Sequence, residues 1–290
     1  MSYIIKNEQL EISIVAKGAE IQRIFNKETG LDYLWEGDPA YWGKHSPVLF
    51  PIVGSLKDNT YSYKGKSYQL PRHGFARDMN FSVAEQSDTA ISFSLKHTAE
   101  TLEKYPFEFE LLLHYKVEEN RLHIQYEVIN PSESKLLFSI GAHPAFKVPL
   151  VANTTYEEYT LCFNEFENTG RYPLTAEGLL AEDPQIFLQN TDELPLKKSL
   201  FYEDAIVFKT LQSSSIKLES EQTAHGLTVD FKGFPYMGIW SAKDANFVCI
   251  EPWLGITDSV NATGNLEEKE GIITLEGGDR FKADWTILTW

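Results

Sequence analysis

Basic residues are in short supply here: 26 Lys and Arg stand against 42 Asp and Glu, a formal charge of -16 over 290 residues. Binding nucleic acid requires a basic face, and no Lys or Arg run exists, so nucleic acid is excluded as a partner. An acidic surface mainly confers solubility. Any phosphate on a substrate would need a local cluster of cations. Cysteine is scarcer still. Cys162 and Cys249 lie in apolar, strand-like runs without metal-ligand spacing, which reads as buried reduced thiols and fits a cytoplasmic protein. No apolar run is long enough to span a membrane, and Met1-Ser-Tyr-Ile-Ile-Lys-Asn-Glu lacks a charged segment followed by an apolar one. The expectation is a soluble, cytoplasmic chain with no membrane partner.

Sustained helical periodicity is also missing, as are an internal repeat of about 20 to 50 residues and a Pro/Gly/Ser linker. What is present favours strands. Hydrophobic residues make up 42% and aromatics 13%, with 14 Tyr and 18 Phe against 3 Met, a bias toward pleated, half-buried surfaces. Tyr3 to Ile14 alternates as one half-buried strand, Thr60 to Leu70 reads as a hairpin turning at Lys64-Gly65, and Phe107 to Val117 with Arg121 to Ile129 forms the clearest hairpin. Thr98 to Tyr105 fits one short helical turn. His114 and His123 alternate with apolar neighbours and read as strand-face residues. The chain is expected to be one large antiparallel all-β domain over residues 1–290.

The stretch that organises the rest is Phe247-Val-Cys-Ile-Glu-Pro-Trp-Leu-Gly255. Four apolar residues precede Glu251 and a proline follows it, so Pro252 is expected to end strand pairing and leave the acid where a core strand emerges, near Trp253. A carboxylate there is either solvated, paired or working. Three further stretches combine glycine, a titratable residue and an aromatic. Pro71-Arg-His-Gly-Phe-Ala-Arg-Asp78 holds His73 between Arg72 and Arg77. Ile140-Gly-Ala-His-Pro-Ala-Phe146 repeats the strand-then-proline layout around His143, and Phe234-Pro-Tyr-Met-Gly-Ile-Trp-Ser241 precedes the Glu251 strand. Together, His143 and Glu251 suggest an acid and a base on rigid elements.

Other chemistries fare worse. There is no Gly-x-Ser-x-Gly elbow and no Gly-x-x-x-x-Gly-Lys loop, which disfavours serine hydrolysis and P-loop nucleotide binding. His73, His143 and Glu251 contain the residue types of a His₂Glu zinc set, but no His-x-Glu-x-x-His pattern exists, so no metal is expected. Cys249 within an apolar strand is a poor nucleophile. A glycosidase pair of Glu251 with Asp204 or Asp258 stays open, since spacing does not select it.

The stretches His73-Gly-Phe-Ala-Arg-Asp, Gly141-Ala-His-Pro-Ala-Phe, Phe234-Pro-Tyr-Met-Gly-Ile-Trp and Cys249-Ile-Glu-Pro-Trp, in this order, resemble the aldose 1-epimerase (galactose mutarotase-like) family, most of all its LacX-like bacterial members. The likeness spans essentially the whole chain. It implies a large antiparallel β-supersandwich with a sugar bound in an open cleft, and interconversion of the α and β anomers of a hexose or hexose phosphate without metal or organic cofactor. By position, it implies that His143 protonates the ring oxygen, that Glu251 takes the proton from the C1 hydroxyl, that His73 binds and polarises the ring, and that Asp204 binds hydroxyls. Arg72, Arg77 and Lys57 offer cations for a phosphate. Trp253, Trp42, Phe75 and Tyr236 offer faces on which a pyranose can stack. The arginine of galactose-specific members is absent from the run Gly54-Ser-Leu-Lys57, and His-Pro-Ala-Phe departs from the His-Ser/Thr-Tyr-Phe of several members. For His143 to start protonated, Glu251 is the carboxylate expected to hold its pKa up. A non-catalytic sugar sensor and a carbohydrate hydrolase or lyase on the same architecture are the alternative readings.

Overall fold

The computed structural model describes residues 2–290. Alternation in sequence becomes alternation of burial. Glu110–Glu118 and Arg121–Ile129 pair antiparallel, Leu113 opposite Tyr126 and Tyr115 opposite Ile124. Leu111, Leu113, Leu122 and Ile124 turn into the core, while Lys116 and Glu118 face water. His114 binds Ser92 and Glu127 on the polar side of the same sheet, as a strand-face residue.

These two strands sit within a nine-stranded antiparallel sheet. Its order is Gln185–Pro195, Thr160–Arg171, Ser215–Glu219, Leu227–Asp230, Arg280–Thr289, Arg121–Ile129, Glu110–Glu118, Ala90–Lys96 and Ser82–Gln86. A four-stranded sheet of Ser2–Lys6, Leu10–Val15, Ile21–Asn26 and Leu31–Asp32 packs against it: Tyr3 meets Phe93 edge-on at 5.4 Å and the Tyr115 hydroxyl donates to the Ala19 carbonyl at 2.8 Å. Tyr3 to Ile14 is therefore two strands where the sequence suggests one. Asn7 makes the turn, its Oδ1 accepting from the backbone N–H of Gln9 (2.9 Å) and Leu10 (2.7 Å), an Asx-type turn that a hydropathy pattern does not register. The hairpin at Lys64-Gly65 is present, and the short helix Ala99–Lys104 starts on a reciprocal cap between Thr98 and Thr101.

A smaller sheet carries the chemistry. We number its strands β1 (Val48–Leu49), β2 (Ile140–Ala142), β3 (Ala145–Lys147), β4 (Ile206–Phe208), β5 (Tyr236–Trp240) and β6 (Phe247–Leu254). Their order is β4-β5-β6-β2-β1, with β3 also paired to β6. One face of β6, with Val248 and Ile250, belongs to the main core. The other carries Phe247, Cys249, Glu251 and Trp253. Of these, Phe247 and Cys249 join an apolar cluster with Trp35 and Ala145, and Trp253 joins another with Leu49 and Val207. Glu251 stands between the two clusters.

Pro252 does not end the strand as expected. Pairing to β5 continues through it, with Glu251 opposite Gly238, Pro252 opposite Met237 and Trp253 opposite Tyr236. One missing donor is a small loss for a strand held by neighbours on both sides. Glu251 is consequently a mid-strand residue, buried with 1% of its surface exposed. No helix among the described residues is long and apolar enough to cross a membrane.

Candidate functional site

The pairing of β6 with β2 and β3 determines where His143 goes. Gly141 lies opposite Trp253 and Ala145 opposite Cys249, which is one unbroken register. The break at His143-Pro144 therefore falls directly opposite Glu251. His143 Nε2 lies 3.4 Å from Glu251 Oε2. Neither His143 Nδ1 nor Glu251 Oε2 has a hydrogen-bond partner. Buried polar atoms are rarely left without one, so both are available to a ligand.

Aromatic rings fix the imidazole. Trp42 stacks on His143 with ring centres 4.9 Å apart, while Trp240 and His73 meet it edge-on, each at 5.6 Å. The loop that carries Trp42 is tied down by Glu20, which accepts from the backbone N–H of His45 (2.7 Å) and Ser46 (3.1 Å). His73 has a left-handed backbone, φ 67°, a conformation that costs a non-glycine residue about 1–3 kcal/mol. Two bonds hold it there. Its N–H donates to the Gly54 carbonyl at 2.8 Å, and its Nδ1 accepts from the Gly54 N–H at 3.1 Å. With Nδ1 used as an acceptor, the neutral ring keeps its proton on Nε2.

The cleft has a volume of about 340 Å³ and is lined by Arg72, His73, Arg77, His143, Asp204, Glu251 and Trp253 together with Trp42, Trp240, Leu174, Val207 and Thr257. It thus gathers the proposed acid and base, His143 and Glu251, with His73, Arg72, Arg77, Asp204 and Trp253. Trp253 fits because glycines flank it: a Cβ on Gly238 would fall 2.4 Å from its indole, and one on Gly141 2.7 Å. Arg72 faces Asp204 at 3.7 Å, and Arg77 faces Asp78 at 3.7 Å while donating to the Arg72 carbonyl at 2.9 Å.

Four residues from the sequence reading lie elsewhere. Lys57 donates through Nζ to the Val260 carbonyl at 2.9 Å, away from the lining. Phe75 is core, against Tyr105 and Phe109, and Tyr236 packs beside Trp253 without lining the cleft. Asp258 is bound to the buried Lys269 at 2.7 Å, which leaves it unfit as a second glycosidase carboxylate. Trp240, Leu174, Val207 and Thr257 are additions of the structure. Trp240 belongs to an aromatic stretch already conspicuous in the sequence; the other three carry no signal beyond being apolar or small.

The charge state also differs from expectation. A separation of 3.4 Å would suit an ion pair, but both groups are removed from water, and the effective penalty for burying an ion is several kcal/mol. Burial first, and then the Arg77 guanidinium, push the His143 imidazole down to about 3. Burial likewise holds the Glu251 carboxyl well above its usual range, with Arg72 opposing and Asp204 reinforcing. His73 is lowered by burial, then by His143 and the two arginines. Glu251 therefore does not keep His143 protonated. Both shifts favour the uncharged forms, a neutral imidazole beside a carboxylic acid.

Residues 1–274 match the aldose 1-epimerase family. The chain is a member of the aldose 1-epimerase family. Among its relatives, the chromosomally encoded protein LacX of Lactococcus lactis subsp. lactis is 36% identical over 298 residues, covering 99% of both chains. The galactose mutarotase related enzyme of Lactobacillus acidophilus superposes with a TM-score of 0.95 at 35% identity, covering 100% of this chain and 97% of that one. A galactose mutarotase-like protein of Lactobacillus casei gives a TM-score of 0.90 at 29% identity, each chain covered completely. The all-β architecture of this aldose 1-epimerase family member is accordingly the galactose mutarotase-like fold.

Proposed function

We infer that the chain is a mutarotase, interconverting the α and β anomers of a hexose or hexose phosphate by acid/base ring opening. The observation that carries this reading is the His143–Glu251 pair, 3.4 Å apart and with an unpartnered buried atom on each residue, at the base of a cleft large enough for a pyranose. Ring opening needs one proton delivered to the ring oxygen and one taken from the C1 hydroxyl. Those two oxygens share one carbon, so a closely spaced acid and base can reach both.

Proton counting reconciles the neutral pair with those roles. Imidazole plus carboxylic acid holds the same number of protons as imidazolium plus carboxylate. One proton passed from Glu251 to His143 produces the acid that serves the ring oxygen and the base that serves the hydroxyl. Polar sugar oxygens entering the cleft favour that charge-separated form by solvating it. His73, with its proton on Nε2, supplies a neutral donor to a sugar oxygen. After rotation about C1–C2, closure on the other face reverses both transfers. Trp42, Trp240 and Trp253 offer aromatic walls for the apolar face of the ring.

Among hexoses, an anionic one is favoured. Arg72 and Arg77 line the cleft, Arg72 facing Asp204 across it and Arg77 facing Asp78, which lies outside the lining. Two guanidiniums held only loosely, at 3.7 Å from their carboxylates, in a protein of net charge -16 match a sugar phosphate better than a neutral sugar. The sensor reading retains the cleft but gives no reason for unpartnered acid and base atoms.

The test follows anomeric equilibration by NMR after dissolving α-glucose, α-galactose or glucose 6-phosphate. Acceleration by the wild type that Glu251→Gln lacks is expected, greatest for the phosphate. If no sugar equilibrates faster but resonances report binding, the sensor reading replaces this one.

A further inference from the structure

We propose that His143, Cys249 and Glu251 together form a binding site for a thiophilic divalent ion of the zinc type, and that filling it blocks the cleft. Cys249 precedes Glu251 by two residues on β6, so both side chains leave the same face of the strand. Opposite them, β3 and the break before it bring in His143. The three ligating atoms, one per residue, lie within 4.8 Å of one another, and all three residues are buried. Glu251 Oε2, which the His143 Nε2 faces, lacks a hydrogen-bond partner, and the thiol is free. The inference needs these donors and not sugar turnover.

The geometry is close to what an ion needs. Zinc takes sulfur at about 2.3 Å and nitrogen or oxygen at about 2.0–2.2 Å, so tetrahedral ligands sit roughly 3.3–3.8 Å apart. The 3.4 Å between His143 Nε2 and Glu251 Oε2 is already in that range, and the donors as a set, within 4.8 Å of one another, are about 1 Å from it. Three protein donors leave a fourth position for solvent, and the ion would occupy the His143 and Glu251 atoms that the sugar needs, which is how it blocks the cleft. A mixed sulfur, nitrogen and oxygen set selects zinc-type ions over Mg²⁺ and Ca²⁺, which require oxygen donors.

Charge balance decides which donor matters most. Arg72 and Arg77 in the cleft oppose a cation. A thiolate and a carboxylate together cancel a dication, with the neutral imidazole as third ligand, and the protons they release go to solvent. Without the thiolate, the complex would keep a positive charge beside two guanidiniums. Cys249 is therefore the residue on which affinity turns, although it does not line the cleft.

The test is equilibrium dialysis of the full chain with Zn²⁺, and absorption spectroscopy with Co²⁺ in its place. Expected are one ion per chain and a thiolate-to-cobalt charge-transfer band. Cys249→Ala should remove the band and weaken Zn²⁺ binding at least about tenfold, with Cys249→Ser as the volume-matched second variant. Cys162→Ser should change neither. The proposal is overturned by the absence of a stoichiometric ion, by a band that survives both Cys249 variants, or by one that disappears with Cys162→Ser. Where mutarotation is measurable, Zn²⁺ should slow the wild type and spare Cys249→Ser. Should no sugar turn over, dialysis and spectra still decide the matter.

Discussion

Lowering the pH should expose the cost of charging His143, and its size can be worked from the structure. An ordinary imidazole titrates at 6.5, whereas burial and Arg77 push His143 to about 3. Between these values the unfolded chain binds a proton that the folded chain refuses. The sign follows: this contribution to stability is complete above pH 6.5 and is lost as pH falls toward 3. Each unit is worth about 1.4 kcal/mol. The loss is therefore roughly 3 kcal/mol at pH 4.5 and roughly 4 kcal/mol at pH 3, where the folded imidazole is itself half protonated, against a typical total of about 5–15 kcal/mol. Burial also shifts the Glu251 carboxyl upward, disfavouring the carboxylate that would stabilise a charged imidazole. Urea unfolding at pH 7 and pH 4.5, for the wild type and for His143→Asn, isolates the effect, because other titrating groups cancel in the double difference. The variant should lose roughly 3 kcal/mol less than the wild type on acidification. Equal losses in the two proteins would refute the assignment of His143 as a buried neutral base.

Glu251→Gln replaces a carboxyl whose ionisation burial disfavours with a neutral amide of the same shape, so urea melts should place it at or above wild-type stability, increasingly so as pH rises above about 4.5, while turnover measured by NMR falls about 10²- to 10⁴-fold. Loss of stability and activity together would contradict that account. Replacing Arg77 or Arg72 with Met should raise KM for glucose 6-phosphate about tenfold or more and leave glucose little changed; equal effects on both sugars would count against phosphate recognition. Lys269→Ala leaves Asp258 buried and unpaired, and calorimetry or urea melts should register a loss of about 3–5 kcal/mol. Gly238→Ala would put a methyl against the Trp253 indole, where a Cβ falls 2.4 Å from the ring, costing about 1–3 kcal/mol with a shift in tryptophan emission; an unshifted spectrum would mean that the indole does not rest on Gly238.

Much of the fold can be read directly from residue pattern. A strand with one face in the core and the other in water has to alternate, and Glu110–Glu118 and Arg121–Ile129 do. The apolar run before Glu251 likewise marks a strand buried on both faces. Local turn chemistry was less legible, since Asn7 divides one alternating run into two strands through side-chain bonds that hydropathy does not record. Pro252 misled for a related reason: a proline lacks one donor, but whether that ends a strand depends on the neighbours that hold it.

For the cleft, the sequence named His73, Arg72, Arg77, His143, Glu251 and Trp253 as candidates, because glycine, proline and aromatic residues cluster around titratable ones in four short stretches, and Asp204 through the family resemblance. It could not say that Lys57 turns to Val260 or that Asp258 is taken up by Lys269. Alternation and local motif are properties of neighbouring residues, and the sequence by itself determined them: the all-β class, the strand that carries Glu251, and the family. Register and burial are properties of segments far apart in the chain, and only the tertiary structure decided those. Pairing of β6 with β2 and β3 set His143 opposite Glu251 and brought Cys249 beside both. Their withdrawal from water then made them a neutral pair, because the cost of a buried charge depends on everything packed around it.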